Sequence, residues 1–327
     1  MQLASTQGVG DGADVALSVV VPTRDRSQTV IRAIDSVLKG NASPVEVIVS
    51  DDGSRDDTRS RLAAYGDPRL VVVGVETSRG ANHARNFGAR AARAPLVAFL
   101  DSDDAFRTGR VERLVASFAA RPDIDASIDG YLDHGVRHAV EHHLPEMVPE
   151  PAAFRHMLIA HQIPLTNSTV TVRKAAFEAV GGFDETLRRH QDRDLLIRLS
   201  RNHVIALGAA VDVDKYRGTA SISHNFEGYI EGLDAFMART PEAQRPEYAD
   251  LLYYLSVRSI LKAVLQGEFG AALRERRRLA RAELLPHGLL RSALRYRAGR
   301  RMRRLADPES AVSLGVAGAF AEKSRSF

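Results

Sequence analysis

Three aspartates within four residues, Asp101, Asp103 and Asp104, follow the apolar run 95–100 (PLVAFL). A second pair, Asp51 and Asp52, follows the apolar run 45–49 (VEVIV). Carboxylates crowded this way repel and raise one another's pKa. A divalent cation relieves that repulsion, and hard oxygen donors suit Mg²⁺ or Mn²⁺. The competing reading is an acidic turn that caps a helix starting near Arg107, since aspartate is a good cap. The single cluster leaves both readings open, and a third acidic position, Asp192, opens a helical pattern much later in the chain.

The acids need elements to place them. Short apolar, β-branched runs at 17–21, 45–49, 69–75 and 95–100 read as strands, with Pro22 expected to close the first. Between them lie helical patterns. One carries Val30, Ile31, Ile34, Val37 and Leu38, with Ser27 as its expected cap; another runs from about Gly80 to Arg93 with a face of Ala81, Ala84, Gly88 and Ala91. Val111, Leu114, Val115 and Phe118 mark a third. Strands spaced by helices imply βαβ units in a mostly parallel sheet. Parallel strands bring their carboxyl ends to one edge, where open α/β sheets bind ligands. Asp51, Asp52, Asp101, Asp103 and Asp104 then face one crevice with Pro22, Thr23 and Arg24. The glycine fingerprints of a dinucleotide fold and of a P-loop are absent after the first strand.

At 327 residues, 44% hydrophobic and 26% charged, the chain has the composition of a soluble globular protein. It has no cysteine, which excludes disulfides, thiolate metal sites and cysteine nucleophiles. The start lacks a signal-peptide pattern, and no apolar run reaches the ~18 residues of a spanning helix. The expected location is cytoplasmic, with peripheral attachment to the inner face of the membrane. Net charge is +4, yet residues 271–305 hold twelve arginines against two glutamates, a balance of +10 that leaves −6 for the rest. Such asymmetry points to an anionic partner for that segment.

The segments VVVPTRD (19–25), VSDDGS (49–54), NHARNFG (82–88) and FLDSDD (99–104) resemble the successive signatures of family 2 inverting glycosyltransferases with the GT-A fold. GGFDE (181–185) and QDRDL (191–195) resemble the acceptor-side half of that family. The likeness covers residues 17–217, in order.

The resemblance implies a mostly parallel central sheet flanked by helices, and transfer of a sugar from a nucleoside-diphosphate donor, most often UDP-linked, to an acceptor hydroxyl. Pro22, Thr23 and Asp25 would line the nucleoside pocket; for Arg24 the residues leave two readings, a phosphate ligand or a surface ion pair. Asp52, with Asp51, would meet the base, and Arg85 the nucleotide. Asp101, Ser102 and Asp103 would form the element that contacts ribose and metal, with Asp103 and Asp104 as ligands of Mn²⁺ or Mg²⁺. Asp192 would be the general base; Gln191 stands where the family often has Glu. The histidine that many members carry after a Tyr-Arg pair is missing: Tyr216 and Arg217 lead into Gly218-Thr219, and His224 comes too late. An aspartyl phosphohydrolase would want its Asp-x-Asp after the first strand. A non-catalytic nucleotide-sugar binder is the other rival.

The expected division is a flexible 1–16, a catalytic 17–227, a helical and Arg-rich 228–305, and a flexible tail 306–327. For the Arg-rich helices the alternatives are an anionic membrane, the acidic catalytic domain or a second subunit in a homodimer. No nucleic-acid motif accompanies the charge. The acceptor is a saccharide, a lipid-linked or another hydroxyl compound. Residues 130–165 read as loop and helix without a motif; His134, His138, His142 and His143 there suit a polar acceptor loop better than a metal.

Overall fold

The structure is a computed structural model that describes residues 15–40, 44–135, 138–216, 229–244, 246–265 and 267–281. Four parallel strands form its first half: β1 (Leu17–Thr23), β2 (Val45–Asp52), β3 (Leu70–Val75) and β4 (Leu96–Phe99). The helices between them are α1 (Val30–Leu38), α2 (Thr58–Ala63) and α3 (Ala81–Ala91). After β4 come β5 (Ala105–Phe106), α4 (Arg110–Ala120), β6 (Ala126–His134), β7 (Ala139–His142) and α5 (Pro151–Ile159). A 3-10 turn (Asn167–Thr169) leads to β8 (Val170–Arg173), α6 (Lys174–Ala179), α7 (Gln191–Leu199) and β9 (Ile205–Tyr216). The helices α8 (Tyr229–Arg239), α9 (Pro246–Leu265) and α10 (Phe269–Arg281) follow.

All nine strands join one sheet in the order β3-β2-β1-β4-β8-β6-β9-β5, with β7 beside β6. The β1–β2, β2–β3, β1–β4 and β6–β9 pairs are parallel; β8 and β5 run against their neighbours. The parallel βαβ half is the expected one. The loop expected over 130–165 is instead partly sheet, through β6 and β7. Asp129 and Asp133 sit in β6 and disguise it, because a strand with inward acids lacks the apolar signal.

Side chains of β1 are buried on both faces, as a central strand between helical layers requires. Leu17, Val19 and Val21 pack with Ala33, Ile34 and Val37 of α1 and with Leu114 and Phe118 of α4. Val20, Ile48 and Phe99 face the opposite layer with Ala89 of α3 and Leu195, Leu196 and Leu199 of α7. Leu233 and Phe236 of α8 enter that same layer, so α8 docks on the sheet-containing body at this end.

Two local expectations are corrected. β1 runs through Pro22 to Thr23. The Val20 carbonyl accepts from Leu100 N on the β4 side. Pro22, two residues on, faces the same side, where the β1–β4 ladder has ended and no N–H is needed. Ser27 does not cap α1, which starts at Val30 behind Thr29. Its backbone N–H donates instead to Asp56, 3.1 Å away. Gly88 lets α3 approach the sheet: a Cβ there would lie 2.6 Å from Val20 Cγ1.

Candidate active site

The carboxyl ends of β1, β2 and β4 share one edge, with Thr23 in register with Asp51 and Asp101 two residues beyond β4. The acids after β4 do not cap a helix. β5 follows them directly, and α4 begins only at Arg110, behind the left-handed Gly109.

Each of the three acids has its own setting. Arg85 of α3 pairs with Asp101 at 2.7 Å. Burial opposes the charge on Asp101, but Arg85, Lys215 and Arg26 outweigh it and hold its carboxyl below the usual range. Asp103 is partly open and has Arg26 at 4.0 Å. Burial, with Asp101 next to it, pushes its carboxyl up. Asp104 is fully buried, and both its oxygens accept hydrogen bonds, one from Ser168 Oγ at 2.6 Å and one from Tyr216 N at 3.1 Å. Burial pushes it to about 7. Ser168 Oγ also lies 3.1 Å from Asp101 N, so one hydroxyl ties both ends of the acidic turn. Ser102 is buried between them.

Cations surround this turn. Lys215 of β9 donates to Thr166 Oγ1 at 3.1 Å and lies within the field of all three acids. Burial works against its charge, but Asp104 and Asp101 raise its pKa nonetheless. Arg32 of α1 donates to the Asp103 carbonyl and lies over the Tyr216 ring, 4.0 Å from its centroid. Among the described residues, no group of three or more His, Asp or Glu side chains is arranged to hold a metal ion. His134 and His142 stack on Tyr216 and Tyr131, and His143 pairs with Glu141. Arg217 and His224 lie outside the described residues.

On the β1–β2 side, Asp52 is buried and accepts from Ser78 Oγ (2.5 Å), Arg79 N (2.7 Å) and Gly80 N (2.9 Å). Asp51 accepts from Ser54 and from Arg59 Nε at 2.6 Å. Asp25, at a left-handed φ of 50°, accepts from Arg55 N at 2.7 Å, and Arg24 donates to Ser78 Oγ at 2.9 Å. Thr23 Oγ1 is buried with no hydrogen-bond partner among the described residues.

Helix α3 links this edge to α7. Asn82 donates to the carbonyls of Asp184 and Leu187, and Asn86 donates to that of Phe183. These bonds clamp the 181–187 loop that runs into α7, while Arg85 between them reaches Asp101. His190, at φ 60°, turns the chain into α7. Asp192 and Asp194 both lie in the first turn, where the helix dipole favours acids. Asp194 is buried in an ion pair with Arg198 at 2.7 Å. Asp192 is half-buried and accepts from Arg193 N, 2.8 Å away. Asp184 is held by Arg239 at 2.7 Å and by Thr186.

Residues 18–177 match Glycosyl transferase family 2. The chain carries a family 2 glycosyltransferase domain. Over 99 residues it is 40% identical to the succinoglycan biosynthesis protein ExoO of Rhizobium meliloti, covering 30% of this chain and 28% of that one. Over 103 residues it is 33% identical to the UDP-Glc:alpha-D-GlcNAc-diphosphoundecaprenol beta-1,3-glucosyltransferase WfgD of Escherichia coli, covering 32% of this chain and 41% of that one. The chain thus spans well under two thirds of the length of these two relatives. The structure of S. aureus TarS 1-349 in complex with UDP-GlcNAc superposes with a TM-score of 0.58 at 19% identity, over 72% of this chain and 70% of that one. The fold is the expected GT-A type.

The sequence pattern of the glycosyltransferase domain brought forward every acid at the sheet edge. It missed Lys215 and Ser168. Both are single polar residues without a motif, and chain reversals over more than forty residues bring them to the acids. The rigid pairing of Arg110, fully buried, with Asp129 at 3.0 Å and with Asp212 was likewise hidden; its guanidinium reaches the Ser168 carbonyl at 3.5 Å.

Proposed function

We propose that this domain transfers a sugar from a UDP-linked donor to a hydroxyl of a saccharide or lipid-linked acceptor, with inversion at the anomeric carbon. The observation that carries the reading is the placement of two separate acidic stations by one helix. Through Arg85, α3 holds Asp101 of the donor-side acids, and through Asn82 and Asn86 it holds the loop that leads to Asp192. The names of the glucosyltransferase relative and of the UDP-GlcNAc complex support a nucleotide-sugar donor.

The nucleoside lies over Pro22, Thr23 and Asp25, where the Thr23 hydroxyl still seeks a partner. Three donors use three lone-pair positions of the Asp52 carboxylate, and the fourth accepts the imide N–H of uracil. Asp51 braces that strand end through Arg59. Arg24, Arg26 and Lys215 bring positive charge to the diphosphate, and Arg85 fixes Asp101 from behind.

The acid set fits a divalent cation. Asp103 is partly open, and burial, with Asp101 next to it, disfavours its charge, a cost that such an ion would offset. Asp103, with Asp101, would hold Mg²⁺ or Mn²⁺. When bound, the ion would neutralise charge on the leaving diphosphate. Asp104 has both oxygens engaged and serves as the strut that ties the turn to β9.

Asp192 is the base. The acceptor oxygen attacks the anomeric carbon and its proton passes to the Asp192 carboxylate. The bond from that carbon to the diphosphate oxygen breaks, and UDP leaves with the electron pair. Asp194 cannot take this part while its charge is committed to Arg198. The Arg-rich C-terminal helices attach the enzyme to an anionic membrane surface, where a lipid-linked acceptor lies.

A panel of nucleotide sugars, tested with Mn²⁺ or Mg²⁺ for release of the nucleoside diphosphate, tests the reading. UDP-sugars are expected to be turned over and to raise the melting temperature. A chain that turns over phosphomonoesters instead, or GDP-sugars alone, contradicts it.

A further inference from the structure

Around the turn that joins them, α9 and α10 bury alanines and expose larger apolar side chains. The seam is formed by Ala263 and Ala272, 1% and 5% exposed, with Ile260 beside them. Leu265 is 86% exposed and Phe269 67%, and Leu261, Val264 and Leu273 are exposed as well. The other large apolar side chains exposed among the described residues, Val140, Val148 and Val204, lie outside this hairpin. Scattered apolar residues need no explanation, but a contiguous set marks an interaction surface.

Spacing makes the set continuous. Leu261 and Leu265 stand four apart on α9, and Phe269 and Leu273 four apart on α10, so each pair shares a helix face. The turn between them is tight: Gly267 has φ 79°, and Glu268 N bonds the Ala263 carbonyl at 2.9 Å. Leu265 and Phe269 therefore crown the hairpin tip. Basic residues flank the crown. Arg258 and Lys262 are exposed on α9, and Arg274, Arg276 and Arg277 on α10. Glu268, and Glu275 in the sequence, are the acids in this stretch, and residues 278–305 add nine more arginines.

We propose that this hairpin tip is a membrane anchor: Leu261, Val264, Leu265, Phe269 and Leu273 enter the interfacial layer of a bilayer, and the flanking Lys and Arg meet anionic lipid headgroups. An apolar face bordered by cations is the pattern of a helix that lies in the interface plane. Water leaves the apolar set unburied. A second copy of the chain would bring basic rims of the same sign together. An anionic lipid surface satisfies both features. The inference deepens the membrane reading above, but vesicle binding does not depend on donor chemistry, so the two can fail separately.

The test is cosedimentation of the full chain with vesicles of phosphatidylcholine alone and of phosphatidylcholine mixed with phosphatidylglycerol, compared with the double variant Leu265→Glu/Phe269→Glu. Binding is expected only where phosphatidylglycerol is present. In the double variant it should weaken by about tenfold or more, while UDP affinity and melting temperature stay as in the parent. No binding to the mixed vesicles overturns the proposal. So does equal binding by the double variant, which would leave attraction to arginines alone. A lipid-free dimer that the double variant dissolves would assign the patch to a second copy and overturn it as well.

Discussion

Asp103, Asp104 and Asp194 show how neighbours divide work among chemically identical side chains. Asp104 and Asp194 are buried and bonded within the protein, to Ser168 and Tyr216 N in one case and to Arg198 in the other. Asp103 is partly open, with Arg26 4.0 Å from its carboxylate. At that separation and exposure the ion pair contributes little to stability. Asp103→Ala is therefore expected to leave the melting temperature almost unchanged and to abolish the part of UDP affinity that depends on Mn²⁺ or Mg²⁺. Calorimetry with and without the metal checks this; an unchanged metal-dependent affinity would remove Asp103 from the donor site. The sequence showed which residues could do chemistry here but not which were already committed. Commitment depends on partners such as Ser168 and Arg198, and Ser168 is more than sixty positions away.

Among the elements, α3 and α7 carry the most consequence. Gly88→Ala in α3 tests the close approach to β1. Alanine gains up to about 1 kcal/mol of helix propensity. Its Cβ, however, would sit 2.6 Å from Val20 Cγ1, and overpacking costs about 1–3 kcal/mol. The net expectation is a destabilised protein with reduced turnover, because Arg85 and Asn86 move with the helix; denaturant melts and an activity assay check both. At the head of α7, burial lowers the His190 pKa from 6.5 to about 3. The unfolded chain then takes up a proton below pH 6.5 that the native protein refuses until about 3, so stability falls as pH drops through that window. His190→Asn keeps a residue suited to φ 60° and removes the proton. The gap in melting temperature between parent and variant should shift in the variant's favour between pH 6.5 and 4; a pH-independent gap would refute the assignment. The parallel elements were legible because their strands are apolar throughout. β6 was not, since Asp129 is buried in it only by virtue of Arg110 and Arg113, which arrive from α4.

For the whole molecule, the sheet joins a parallel half that ends in the clustered aspartates to a mixed half that ends in Lys215, and α3 ties Asp101 to the loop before α7. The order of motifs in the sequence reflects the first half directly. The second half was hidden because its strands are short, antiparallel or polar, and because its charged residues pair across long separations. The helical C-terminal region showed its charge in composition but not the exposed apolar crown, which depends on which face of each helix the seam takes up. The proposed function assigns donor binding and proton removal to separable stations. The direct measurement is UDP affinity and UDP-sugar turnover of Asp192→Asn beside the parent. Turnover is expected to fall by about 10²–10⁴-fold, the typical cost of losing a general base, with UDP affinity unchanged. Near-normal turnover, or loss of UDP binding together with turnover, would contradict it.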